Sequence, residues 1–87
     1  MEKNIFEQKD FSNIEFNNTP IAKGEYEKCT FRNCNFQYSD LNNVEFIDCD
    51  FISCNLTMVN LSETALRNIS FKDCKIIGLR FDLCNKF

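Results

Sequence analysis

The stretch that decides the fold runs from Cys29 to Leu61 and, written in fives, reads CTFRN, CNFQY, SDLNN, VEFID, CDFIS, CNLTM, VNL. Each line gives a small residue, a polar residue, a large apolar residue and two variable positions. Extended in both directions, the large position is Phe6, Phe11, Phe16, Ile21, Tyr26, Phe31, Phe36, Leu41, Phe46, Phe51, Leu56, Leu61, Leu66, Phe71, Ile76 and Phe81, and Lys86 ends the series. The small position reads Cys29, Cys34, Ser39, Val44, Cys49, Cys54, Val59, Thr64, Ile69 and Cys74, then Leu79 and Cys84, but it is less uniform at Lys9, Ile14, Thr19 and Gly24.

No ordinary element accommodates a period of five. On an α-helix five residues turn the side chain by about 140°, which scatters the apolar set around the cylinder. On a straight strand an odd step sends successive large residues to opposite faces. A chain that runs extended for three residues and then turns a corner keeps both the small and the large residue inside, with the polar residue between them outside. Asn33, Asn43, Asp48, Asn68 and Asp73 occupy the second corner position and suit it, because Asn and Asp tolerate turn conformations.

The sequence resembles the pentapeptide-repeat family at Cys34-Asn35-Phe36, Ser39-Asp40-Leu41, Cys49-Asp50-Phe51, Cys54-Asn55-Leu56 and Val59-Asn60-Leu61. The resemblance implies an all-β fold, a right-handed quadrilateral parallel β-helix of about four coils with four repeats to a coil. Positions twenty apart then stack at a rung spacing of roughly 4.8 Å. One face would carry Phe11, Phe31, Phe51 and Phe71, an all-Phe ladder. The expected organisation is a single domain, 1–87, with 1–23 an irregular N-terminal coil or cap and 24–85 the regular coils. The only Pro, Pro20, predicts a loop or distorted coil over Thr19 to Gly24, since Pro lacks the N–H of a rung.

The 87 residues include ten Phe and six Cys but only one Pro and two Gly, and carry a net charge of −3. A disordered chain would hold fewer aromatics. The acidic balance argues against direct nucleic-acid binding, which needs a basic face. The amino terminus has no apolar signal region and no run approaches the roughly 18 apolar residues of a membrane span, so the expectation is a cytoplasmic protein without membrane contact. All six cysteines share one phase of the period, as a packing position would and a disulfide framework would not, and reduced thiols are expected.

Catalytic chemistry is not expected. The chain contains no His, which removes the usual base for a Ser or Cys nucleophile. Gly24 and Gly78 stand alone, so no Gly-rich phosphate loop exists. The close cysteine pairs are spaced C-x4-C, unlike the short pairs of structural zinc sites. No cofactor and no metal is predicted. Four glycosylation-like sequons, at Asn17, Asn55, Asn60 and Asn68, are written automatically by a repeat with Asn before and Ser or Thr after its core residue.

Charge is the remaining signal. Residues 33 to 66 hold Asp40, Glu45, Asp48, Asp50 and Glu63 with no Lys or Arg, whereas 67 to 86 are mostly basic. A solvated mixed exterior explains this blandly. The candidate partner-binding residues are Asp40, Glu45, Asp48 and Asp50, on a rigid scaffold for an unknown protein partner. The family resemblance implies an alternative, because some members confer quinolone resistance as acidic rods that imitate DNA in the saddle of a topoisomerase such as gyrase. On that reading Glu45, Asp48 and Asp50 are the carboxylates concerned, although the basic end and the lack of a dimerising helix depart from the pattern. A solenoid also exposes its ends, so the expectation is either a fragment of a longer solenoid or self-association through an open C-terminal end.

Overall fold

The computed structural model describes residues 3–84. Eight strands of three residues follow one another: β1 (Ile5–Glu7), β2 (Asp10–Ser12), β3 (Glu25–Glu27), β4 (Thr30–Arg32), β5 (Glu45–Ile47), β6 (Asp50–Ile52), β7 (Ala65–Arg67) and β8 (Ser70–Lys72). They form two parallel sheets, sheet 1 in the order β1-β3-β5-β7 and sheet 2 in the order β2-β4-β6-β8. Every pairing joins residues twenty apart, as in Phe6 with Tyr26, Phe31 with Phe51 and Phe46 with Leu66. The molecule is an all-β parallel solenoid, and about three turns separate its first strands from its last. No α-helix occurs among the described residues; a single 3-10 turn spans Phe81–Leu83.

Two further columns of bridged residues lie outside the named strands. Glu15, Asn35, Asn55 and Lys75 are linked by isolated parallel bridges, and so are Asp40 and Asn60. Side chains shape these columns: the Oδ1 atoms of Asn35, Asp40, Asn55 and Asn60 each accept the N–H two residues on, at 2.9–3.0 Å. This local turn competes with extended pairing and pulls the chain round after the large residue. Sheet positions such as Glu25, Thr30 and Glu45 remain in a ladder instead.

The corners have one conformation. Gln8, Asn13, Lys28, Asn33, Tyr38, Asn43, Asp48, Ser53, Met58, Glu63, Asn68 and Asp73 all have φ between 51° and 64°. The left-handed region costs an L-residue roughly 1–2 kcal/mol, so the lattice rather than local preference holds Lys28, Tyr38 and Met58 there. The series skips Asn18 and Lys23, which flank Pro20. Within the segment expected to be irregular, β1 and β2 pair in register, and departure from the lattice is concentrated around Asn17 to Gly24.

The core lies where the five-residue code puts it. From Phe16 to Leu66 every large position is buried, as is every small position from Cys29 to Thr64. Phe11, Phe31, Phe51 and Phe71 stack face to face with centroids 4.9, 4.9 and 5.4 Å apart. Rings on neighbouring walls meet edge-on, as Phe31 does with Phe36 and Phe46, the arrangement that aromatic quadrupoles favour. Ile76, an inward position by phase, is 38% exposed, with no further rung over it among the described residues. The break at Lys86 and the boundary at residue 85 lie outside the described residues.

Candidate partner-binding surface

The thiols turn inward and satisfy the backbone. Cys29, Cys34, Cys49, Cys54 and Cys74 each donate through Sγ to the carbonyl oxygen 23 residues earlier, at 3.1–3.5 Å. Thr64 does the same through its hydroxyl, to Leu41 at 2.6 Å. All six cysteines are free. Burial raises the Cys49 thiol to about 11 and the Cys54 thiol to about 12, the opposite of what a nucleophile or metal ligand needs. Among the described residues no group of three or more Cys, Asp or Glu is placed to hold a metal ion, and no helix is long and apolar enough to cross a membrane.

The outer wall carries the remaining chemistry. Asp40 lies on the fourth column, where Oδ1 takes the Asn42 N–H and an Asn60 side-chain N–H at 3.0 Å. Asp48 sits at the corner between β5 and β6 and accepts a 2.7 Å hydrogen bond from Asn68. Glu45 opens β5 and pairs with Lys3; Asp50 opens β6 and is exposed. The fold thus groups Glu45, Asp48 and Asp50 around one edge of the molecule, and it puts Asp40 on a different wall with its carboxylate engaged in turn geometry.

Around Glu45 the twenty-residue register assembles a larger acidic column. Glu25 is the rung partner of Glu45, and Glu7 that of Glu27. All four carboxylates lie on sheet 1 with rungs about 4.8 Å apart. Hydrogen bonding to Glu25 holds the Glu27 carboxyl above the usual range. Lys3 spans Glu25 and Glu45, and its hydrogen bond holds Glu45 below that range. One rung higher the column ends, where Ala65 faces Glu45 and Arg67 faces Ile47. Glu7, Glu25 and Glu27 escape a charge count made along the chain. The signal was present at outward positions twenty apart.

These features define a repeat-built parallel β-solenoid. A family model for the pentapeptide repeat region matches residues 24–86, well over half of the sequence. The chain belongs to the pentapeptide-repeat family. No curated protein is significantly similar to it in sequence. Among solved structures it is similar to full-length QnrB1, a plasmid-mediated fluoroquinolone resistance protein, at 20% identity and a TM-score of 0.48, covering 82% of this chain and 43% of that one. Two trypsin-treated variants of QnrB1 align at 25% and 26% identity with TM-scores of 0.35 and 0.36, over 83% and 84% of this chain and 33% and 32% of theirs. The chain therefore spans less than half the length of these structures.

Proposed function

We propose that this chain is a non-enzymatic cytoplasmic scaffold that offers a rigid outer surface to a protein partner. In this reading residues 1–87 form one domain, a right-handed quadrilateral solenoid of about four coils, with 1–23 as its N-terminal coil or cap and 24–85 as its regular coils. It works without cofactor or metal. The observation that carries the reading is the column of Glu7, Glu25, Glu27 and Glu45 on sheet 1, with Asp48 and Asp50 at its edge. Carboxylates fixed on a rung lattice lose little freedom on binding, which favours association. Their shared sign steers a basic partner surface and rejects an acidic one.

The test compares capture of protein partners by the wild-type chain and by a Glu25→Gln, Glu27→Gln, Glu45→Gln triple variant. A saturable partner retained by the former and lost by the latter, with both equally folded, supports the reading. Equal capture by both overturns the assignment of the surface.

A second reading, binding to a topoisomerase such as gyrase in imitation of DNA, is favoured by the same in-register carboxylates. Protection of gyrase from a fluoroquinolone by the wild-type chain and not by the triple variant would support it. Absence of any gyrase binding would remove it and leave the scaffold reading standing. Self-association through the C-terminal end, where β7 and β8 have rung neighbours on one side, predicts a concentration-dependent rise in mass on sedimentation.

A further inference from the structure

Gly24 is where the segment before β1 is laid against the solenoid. A side chain at this position would place its Cβ 2.4 Å from the Asn4 carbonyl oxygen and 2.9 Å from the Asn4 Cβ. Only a residue without a Cβ lets the Asn4 backbone come so near. The approach is then fixed by two hydrogen bonds. The Glu25 N–H donates to the Asn4 carbonyl at 2.8 Å, and the Asn4 side-chain N–H donates to the Lys23 carbonyl at 3.1 Å.

With Asn4 fixed, Lys3 reaches along the outer wall of sheet 1. Its ammonium pairs with Glu45 and lies 3.7 Å from a Glu25 carboxylate oxygen. These two carboxylates are rung partners. The Lys3 side chain is 53% exposed, against 18% for Glu25 and 36% for Glu45, so the lysine is the outer member of the group and covers the pair. The electrostatics agree with the geometry, since Glu45 holds the Lys3 ammonium above its usual range and Lys3 holds the Glu45 carboxyl below its own. A cleft of about 300 Å³, lined by Lys3, Asn4, Lys23, Gly24 and Asn43, adjoins the contact. The lysine side chain therefore has room to leave the carboxylates without disturbing the core.

We infer that Lys3 is an autoinhibitory contact: its ammonium fills the place across Glu25 and Glu45 that a lysine or arginine side chain of the partner takes, and the partner binds by displacing it. The inference rests on the acidic-surface reading and adds the regulation of that same surface. The chemistry of the competing group is that of Lys3 itself, one positive charge on a flexible stem, set across two carboxylates one rung apart. An exposed ion pair contributes little stability and exchanges readily. Lys3 accordingly tunes affinity rather than closing the surface. Asn4 and Gly24 keep the ammonium local, so it competes as an intramolecular group at high effective concentration.

The probe is tetralysine, acetylated and amidated at its ends, titrated into the isotopically labelled full chain and followed by NMR. It should shift Glu25, Glu27 and Glu45 saturably, and in the wild type it should shift Lys3 and Asn4 with them. Lys3→Met, which keeps the stem and removes the charge, should bind about two- to fivefold more tightly, the range an exposed ion pair supplies. Lys3→Arg should bind as the wild type does. Gly24→Ala, which pushes Asn4 away, should reproduce the gain. Lys72→Met removes a charge from sheet 2 and should leave the affinity within about a third of the wild-type value. Equal affinity in the wild type and Lys3→Met overturns the inference, as does an equal gain in Lys72→Met, which would reduce the effect to net charge. In either of those cases a Glu25→Gln, Glu27→Gln, Glu45→Gln chain that still loses binding leaves the acidic-surface reading standing. Tetralysine binding that triple variant as tightly as the wild type, or shifting none of these residues, overturns both.

Discussion

The Sγ of Cys54 donates to the carbonyl oxygen of Phe31 at 3.2 Å, joining the small position of one coil to the large position of the coil before it. This contact makes the cysteines part of the backbone hydrogen-bond pattern and gives their reactivity a definite pH dependence. Burial raises the folded thiols of Cys49 and Cys54 to about 11 and about 12, whereas unfolded thiols ionise near 8.5. Between these values the unfolded chain releases protons that the folded chain keeps. Stability is therefore fully present below about pH 8.5 and declines as pH rises through the folded values. Urea midpoints across pH 7–10.5 should fall at the alkaline end. Disulfide-exchange reagents at pH 8 should modify Cys49 and Cys54 only at the rate of unfolding, and prompt labelling of both would refute their placement.

Phe51 lies in the stacked ring ladder and is 1% exposed, while Ile52 beside it points outward. Phe51→Ala should cost about 3–5 kcal/mol through lost burial and the cavity left behind. Ile52→Ala should cost less than about 1 kcal/mol. Chemical denaturation of both variants checks the order, and equal losses would mean that inside and outside are exchanged.

Ser53 turns a corner at φ 54°. Ser53→Gly should raise stability by about 0.5–1 kcal/mol because Gly enters the left-handed region without a steric penalty. Ser53→Val should lower it by more than that, as β-branching is poorly tolerated there. A thermal series of the three residues at position 53 should rank Gly above Ser above Val.

The buried Ser39 hydroxyl has no hydrogen-bond partner among the described residues and is a liability, since an unsatisfied polar group costs about 1–3 kcal/mol. Ser39→Ala should therefore unfold at a higher temperature than wild type. A clear drop in melting temperature would show that the hydroxyl already has a partner.

Much of this was legible in the five-residue period. The inward pairs and the free cysteines follow from phase, the twenty-residue stacking was implied by the family resemblance, and the corners at Asn33, Asn43, Asp48, Asn68 and Asp73 follow from residue type. The left-handed corners at Gln8, Lys28 and Met58 carry no such signal, because tertiary pairing imposes a conformation those residues do not prefer. The division into two stranded and two turned columns was written at Asn35, Asp40, Asn55 and Asn60, but only their side-chain hydrogen bonds reveal it. Charge counted along the chain pointed to Asp40, which serves its own turn, and passed over Glu7, Glu25 and Glu27, which become neighbours of Glu45 only across rungs. Pro20 signalled a disturbance. The orphaned Ser39 hydroxyl depends on where the backbone goes after Phe16, which no residue type specifies.

The register unites core, corners and acidic column, and it can be measured directly. Backbone N–H groups donate to carbonyls 21 residues earlier: Glu25 to Asn4 at 2.8 Å, Thr30 to Lys9 at 2.9 Å, and Glu45 to Gly24, Asp50 to Cys29 and Ala65 to Val44 at 3.0 Å. NMR scalar couplings across hydrogen bonds, recorded on the doubly labelled chain, should appear between these amide nitrogens and these carbonyl carbons. Couplings at that offset in both sheets are the predicted result. The complementary bonds run to carbonyls 19 residues later, as from Gln8 to Glu27 and from Lys28 to Ile47; couplings at any constant offset other than these two, or to carbonyls four residues away as in a helix, would contradict the fold and with it the carboxylate column.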